Sequence, residues 1–121
     1  MDVERTKSYY EQISNCDLCD CTYCQNYVSE IKNTYPKVAE YLFSLGIDIE
    51  KPFETMPLEP DDMGYIEYIS AQYIVYGNPH DFVKTVIGSV NVDVTDTHPS
   101  TKINKTHFVI EIYPVRLKWV M

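Results

Sequence analysis

The sequence predicts an α+β fold in which N-terminal helices pack on one face of a mainly antiparallel sheet of about four strands. Two observations support this fold class. Apolar residues recur every three or four positions in the first third of the chain, whereas after Gly64 they alternate with polar ones. Helices that precede the strands, rather than alternating with them, favour a helical layer on an antiparallel sheet.

A chain of 121 residues is near the commonest size of one domain. We therefore expect residues 1–121 to form a single domain with three parts. A helical, cysteine-containing part covers residues 1–47, and an acidic, proline-rich connection covers residues 48–62. A part made of strands covers residues 63–121.

Three helices are predicted in the first part. The first is short and polar and runs from about Val3 to Ile13. A longer apolar stripe then consists of Tyr27, Ile31, Tyr35, Val38, Leu42 and Leu45. Pro36 divides this stripe, because proline disrupts a helix interior but is tolerated in a first turn. We predict one helix from about Thr22 to Asn33 and another from Pro36 to Leu45, with Gly46 as its C-terminal cap.

The predicted strands follow a stretch that is unfavourable for helices and for interior strands. Residues 48–62 contain three prolines and six carboxylates, a composition that resists both helix and interior strand. Beyond Gly64, strand-forming residues predict four strands, at Tyr65–Ile69, Ala71–Tyr76, around Val90, Val92 and Val94, and around Phe108, Ile110 and Ile112. Pro114 is expected to end or interrupt the last of these, and residues 115–120 to resume it.

Composition limits the classes of partner and the cellular location that are expected. The chain has 18 acidic and 10 basic residues, a formal charge of -8, and no run of Lys or Arg. Nucleic acid is therefore a poor partner, because affinity for phosphate depends largely on clustered cations. We find no apolar segment with the length of a signal peptide core or a membrane span, so a cytoplasmic protein without a membrane partner is expected.

All four cysteines of the chain occur within nine residues, at Cys16, Cys19, Cys21 and Cys24. In a reducing cytoplasm such a cluster favours metal binding or redox chemistry over permanent disulfides. The spacing C-x2-C-x-C-x2-C offers four thiolates to one ion, and zinc prefers a tetrahedron of such ligands. We predict a zinc site formed by these four residues. A variant combines Cys21 and Cys24 with one or both of His98 and His107.

Two alternatives to zinc remain open. Cys21 and Cys24 lie where the long helix begins, and the positive end of a helix stabilises a thiolate, as a thiol-based oxidoreductase requires. A thioredoxin-type fold, however, needs a strand leading into the motif, and the preceding residues resemble helix and loop. The other alternative is an interaction protein with unligated thiols. Common iron–sulfur spacings are not met.

The remaining sequence contains no evident catalytic set. Glu59, Asp61 and Asp62 lack the glycine-containing spacing of a calcium loop. The glycines stand too far apart to cradle a phosphate, and motifs for a Ser or Thr nucleophile are absent. We therefore favour a function other than catalysis.

Several short motifs resemble those of a family. The run Cys21-Thr-Tyr-Cys24-Gln-Asn26-Tyr27, together with Leu45-Gly-Ile-Asp48, resembles an uncharacterised conserved family of short bacterial proteins. That family has an N-terminal C-x-x-C-x-N-[FY] motif, a helix that ends in Leu-Gly-Ile-Asp, and a strand region closing near a tryptophan, here Trp119. The resemblance implies that Cys21, Cys24 and Asn26 are distinctive, and it implies no activity, substrate or cofactor.

Taken together, the residues predict a small cytoplasmic metal-binding protein with an accessory or interaction role. Eleven tyrosines offer large contact areas with polar tips, which suits both the boundary between core and water and a surface that meets a protein or small-molecule partner. Unpaired sheet edges beside such a surface also make a homodimer possible.

Overall fold

The computed structural model describes the backbone of residues 1–121 and every side chain except that of Asn15. Three α-helices come first: α1 (Val3–Gln12), α2 (Thr22–Thr34) and α3 (Pro36–Ser44). Six strands follow: β1 (Glu54–Pro57), β2 (Tyr65–Tyr76), β3 (Thr85–Ile87), β4 (Val90–Thr95), β5 (His107–Tyr113) and β6 (Val115–Lys118). Short 3-10 helices occupy Asn15–Asp17 and Pro79–Asp81. The predicted α+β class and the three N-terminal helices are confirmed.

The six strands form one antiparallel sheet in the order β1-β2-β5-β4-β3, and β6 pairs with β2. β5 and β6 lie one after the other along the same long strand. Ala71 pairs with Ile112 of β5, and Tyr68 pairs with Val115 of β6. Pro114 separates the two strands, because its missing N–H group interrupts the ladder of hydrogen bonds.

Six strands are present where about four were predicted, because β1 and β3 were missed and β6 is a strand of its own rather than the resumed end of β5. β1 lies inside the proline-rich connection, where it is tolerated because it is an edge strand that pairs only with β2. β3 has three residues, too few for an alternating pattern, and it forms only because it pairs with β4. Conversely, the two strands predicted from Tyr65 to Tyr76 are one continuous strand, β2.

The helices and one face of the sheet share a hydrophobic core. The predicted helical stripe is its helical side, since Tyr27, Ile31 and Leu42 are completely buried and Val38 and Leu45 nearly so. Tyr27 extends from α2 to the sheet and donates a hydrogen bond of 2.6 Å to the Tyr73 hydroxyl. Tyr73 in turn donates to the carbonyl of Ile49 at 2.7 Å. These two hydrogen bonds satisfy both buried hydroxyls, as burial in a core requires. None of the described helices is both long and apolar enough to cross a bilayer.

Gly46 ends α3 and also allows α1 to pack closely against that end. Its φ is +88°, and the N–H groups of Gly46 and Ile47 bond to the carbonyls of Phe43 and Leu42, both at 3.0 Å, which is the Schellman pattern. A Cβ atom at this position would lie 2.6 Å from the carbonyl oxygen of Val3 in α1. The glycine of the Leu-Gly-Ile-Asp motif is therefore required both by the turn and by the close approach of two helices.

We predict that Gly46→Ala lowers the free energy of unfolding by about 2–4 kcal/mol, through the left-handed backbone and the displacement of α1. Gly64→Ala is the matched control, because Gly64 has a φ of +85° but no atom within 4 Å of the added Cβ. The control should lose only the conformational part, about 1–2 kcal/mol. Urea denaturation measures both. Equal losses would show that the contact with α1 contributes nothing.

Candidate functional site

The N-terminus of α2 is held firmly against the sheet. Tyr68 of β2 donates a hydrogen bond from its hydroxyl to the carbonyl of Tyr23, in the first turn of α2. Asn26, which is completely buried, donates to the carbonyl of Lys118 at 2.9 Å and accepts from the N–H of Val120 at 2.8 Å. These bonds join the first two turns of α2 to both β2 and the chain beyond β6. The backbone at the start of α2 therefore has a fixed position relative to the sheet.

Three thiols converge at this helix start. The sulfur atoms of Cys19, Cys21 and Cys24 all lie within 4.8 Å of one another. Cys21 is the N-cap residue of α2, Cys24 lies one turn further on, and Cys19 is in the preceding loop. The Cys19 thiol donates a hydrogen bond to the Cys21 sulfur at 3.3 Å. All four cysteines, Cys16 included, are free thiols and form no disulfide.

The structure does not bring the other predicted ligands into this group. Cys16 is exposed in the short 3-10 helix that precedes the loop. Both ring nitrogens of His107 are already hydrogen-bonded, to the Thr101 hydroxyl and the Lys105 carbonyl, each at 2.7 Å. His98 packs edge-on to Phe53, with ring centroids 6.5 Å apart. The described cluster therefore consists of three sulfurs rather than four sulfurs or a mixture of sulfur and imidazole.

One side of the cluster faces β1. The Cys24 sulfur is 3.6 Å from the hydroxyl of Thr55, a buried residue of β1. Cys19, Cys24 and Thr55 also line a small cleft of about 70 Å³. The sequence does not predict this neighbour, because Thr55 lies 31 residues away in a segment whose prolines conceal a strand. Thr55 contributes a polar wall to the cluster and fixes the orientation of Cys24.

The two cysteines of the C-x-x-C motif differ electrostatically. Partial burial raises the pKa of the Cys21 thiol, but the N–H groups of Cys24 and Tyr23 and the thiols of Cys19 and Cys24 outweigh it, so the pKa of Cys21 is lowered overall. Burial and, less strongly, the neighbouring thiols of Cys19 and Cys21 together raise the pKa of Cys24 to about 12, against the lowering effect of the hydrogen bond with Thr55. Cys21 is thus the thiol that ionises more readily.

The surroundings of the cluster are acidic rather than basic. Asp17 and Glu54 line the same cleft as Cys19 and Cys24. Glu59 accepts a hydrogen bond of 3.2 Å from the hydroxyl of Tyr23. Negative charge near a set of thiols favours a bound cation, and it opposes accumulation of thiolates in the absence of one. The arrangement is therefore chemically suited to holding a soft metal ion.

No protein-family model, curated protein or solved structure matches the chain.

In metal-free protein, we predict that iodoacetamide modifies Cys21 faster than Cys24. Cys21 is exposed and its pKa is lowered, whereas Cys24 is partly buried and its pKa is raised to about 12. Only the thiolate reacts, so the difference in ionisation becomes a difference in rate. Peptide mass spectrometry after short labelling at pH 7 measures both rates. Equal rates, or faster labelling of Cys24, would contradict the proposed asymmetry.

Proposed function

We propose that this protein is a small metal-binding protein with an accessory or interaction role, and that Cys19, Cys21 and Cys24 hold a zinc ion. The observation that carries the proposal is the convergence of three free sulfurs within 4.8 Å at the start of a firmly held helix. Thiolates favour soft or borderline cations such as Zn²⁺ over Mg²⁺ or Ca²⁺.

The spacing of the sulfurs supports zinc coordination. With Zn–S bonds of about 2.3 Å, two ligands of a tetrahedron are about 3.8 Å apart. Cys19 and Cys21 are already at 3.3 Å, and no pair in the group exceeds 4.8 Å. Adjustments of roughly 1 Å or less therefore convert the group into three corners of a tetrahedron. Rotation of the exposed side chains of Cys19 and Cys21 provides that freedom.

Cys16 is the proposed fourth ligand. It is exposed, it lies three residues before Cys19, and the loop that separates them belongs to no α-helix or strand. A C-x2-C pair of this kind can bring both sulfurs to one ion. His98 and His107 fit less well, because the hydrogen bonds of His107 occupy both of its nitrogens and neither histidine joins the described sulfur group.

The proposed role of the ion is to fasten the loop before α2 to the rest of the fold. The hydrophobic core extends from Tyr10 in α1 to Leu117 in β6, so the fold has ample apolar packing away from the cluster. Metal loss should therefore loosen the loop before α2 without unfolding the chain. This separates the protein from small zinc domains that fold only with metal.

We predict one zinc ion per chain in protein purified without a tag, measured by mass spectrometry of the elements. Cys21→Ser should weaken zinc binding by more than the roughly 10- to 100-fold cost of losing a group that merely supports a ligand. Cys16→Ser is the matched comparison, and it should weaken binding less if the three described sulfurs dominate. Competition with a chromogenic chelator gives both affinities. Full zinc content in Cys21→Ser would contradict the site.

We also predict that metal removal lowers the melting temperature without abolishing the transition. At free zinc about 100-fold above its Kd, the ion adds about 2.7 kcal/mol of stability, or on the order of 10 °C for a chain of this size. Differential scanning calorimetry with and without a strong chelator measures the shift. Identical melting curves would show that the cluster has no structural metal.

A redox function is the second candidate, and the unequal pKa values of Cys21 and Cys24 favour it. In that case the Cys21 thiolate attacks a substrate disulfide and releases one substrate thiol. Cys24 then loses its proton and attacks Cys21, which releases the second substrate thiol and leaves a Cys21–Cys24 disulfide. Reduction of insulin by dithiothreitol, accelerated by metal-free protein but not by Cys21→Ser, would support this function over zinc binding.

The cellular setting completes the proposal. We propose the cytoplasm as the location, since free thiols persist in a reducing compartment. The resemblance to a conserved family of short bacterial proteins stays a proposal, in which Cys21, Cys24 and Asn26 are the distinctive residues. A protein or small-molecule partner and a homodimer remain part of the proposal. A tyrosine surface does not carry them, because Tyr65 is the exposed one among the described tyrosines and four others are buried in the core: Tyr10, Tyr27, Tyr68 and Tyr73.

A further inference from the structure

A row of polar side chains crosses the sheet on the face opposite the helices. Gln72 of β2 pairs with Glu54 of β1 on one side and with Glu111 of β5 on the other, and Glu111 pairs with Asp93 of β4. Their neighbours Ala71, Tyr73, Ile110, Ile112 and Val92 belong to the core shared with the helices. Because side chains alternate along a strand, the polar row lies on the other face.

Gln72 is the unusual member of this row. It is completely buried, and its Nε2 atom donates a hydrogen bond of 2.8 Å to the carbonyl of Thr97, in the long connection between β4 and β5. Its Oε1 atom is buried and accepts no hydrogen bond from any described group. A buried carbonyl oxygen without a hydrogen-bond partner is energetically unfavourable, because it has lost its hydration without replacement. The neighbours that the register places beside it, Glu54 and Glu111, are acceptors when ionised.

The carboxylates beside Gln72 also lack positive partners. Among the described side chains, no Lys, Arg or His forms an ion pair with Glu54, Asp93 or Glu111. Burial, and then repulsion by Asp93, raise the pKa of Glu111 above its ordinary value. Directly opposed residues in an antiparallel pair have Cβ atoms about 4.5–5.5 Å apart, so Glu111 and Asp93 repel each other at close range.

We propose that Gln72 Oε1 and the carboxylates of Glu111 and Asp93 form a binding site for a hard divalent cation of the calcium or magnesium class. A cation accounts for both the unpartnered amide oxygen and the facing carboxylates, because all three groups are the oxygen ligands that such ions prefer. One Asp93 oxygen accepts the N–H of Val94 at 2.8 Å, which leaves its other oxygen for the ion.

Glu54 lies at the outer end of the row and contributes least to the proposed cation site. It is exposed, and its Oε1 atom accepts the N–H of the adjacent Thr55 at 3.1 Å. The site is chemically distinct from the thiol cluster, since an amide oxygen and carboxylates attract hard ions whereas thiolates attract soft ones. The two sites can therefore be tested independently in the same molecule.

The test is the change in melting temperature of zinc-loaded protein when calcium or magnesium chloride is added at constant ionic strength. With free cation about tenfold above its Kd, the melting temperature should rise by about 5 °C. Glu111→Gln and Asp93→Asn should each abolish most of the rise. Glu111→Gln should also raise the melting temperature of cation-free protein, because it removes the repulsion. Calorimetric titration of the same proteins gives the affinities.

Asp62→Asn is the matched control, since Asp62 is also acidic but lies outside the row and is exposed. It should leave the cation-dependent rise unchanged. The proposal is overturned if neither cation raises the melting temperature of the wild-type protein. It is equally overturned if the rise persists in either Glu111→Gln or Asp93→Asn, or if Asp62→Asn loses it to the same extent. Because Cys21→Ser leaves this row intact, that variant should retain the full response to calcium or magnesium whether or not it binds zinc.

Discussion

The seating of α2 on the sheet is the constraint on which the thiol cluster depends. Tyr27 lies at its centre, completely buried and hydrogen-bonded through Tyr73 to the carbonyl of Ile49. A tyrosine in this place combines a large apolar contact with a fixed polar end, so it sets both the depth and the rotation of the helix. Burial raises the pKa of Tyr27 and of Tyr73, so both hydroxyls stay protonated and available as donors at neutral pH.

The cluster takes its geometry from that seating. Tyr68 holds the first turn of α2, and Asn26 ties the next turn to the chain beyond β6. Cys21 and Cys24 are consequently fixed to a rigid helix end, whereas Cys19 comes from a loop that can adjust. A site with two rigid ligands and one or two adjustable ones suits a metal ion, because the loop can complete the coordination after the helix has positioned the first sulfurs.

The helices and the location of the cluster were predictable because their signals are local. The stripe from Tyr27 to Leu45, the break at Pro36 and the cap at Gly46 depend on neighbours three or four positions away. β3 was missed because three residues are too few to show an alternating pattern, and β1 because it exists only through pairing with a distant strand. The same reason explains the site: the contact of Cys24 with Thr55 depends on that pairing. The spacing of the cysteines alone also fails to show that Cys16 stands apart from the other three.

The thiol cluster and the polar row that contains Gln72 lie on opposite sides of the sheet. Three cysteine sulfurs gather at the helix end on one side, and amide and carboxylate side chains follow the strand register on the other. The central claim concerns the sulfurs, and X-ray absorption at the zinc edge of the zinc-loaded protein tests it most directly. We expect three or four sulfur neighbours at about 2.3 Å from the ion. A first coordination sphere of oxygen and nitrogen alone would contradict the account.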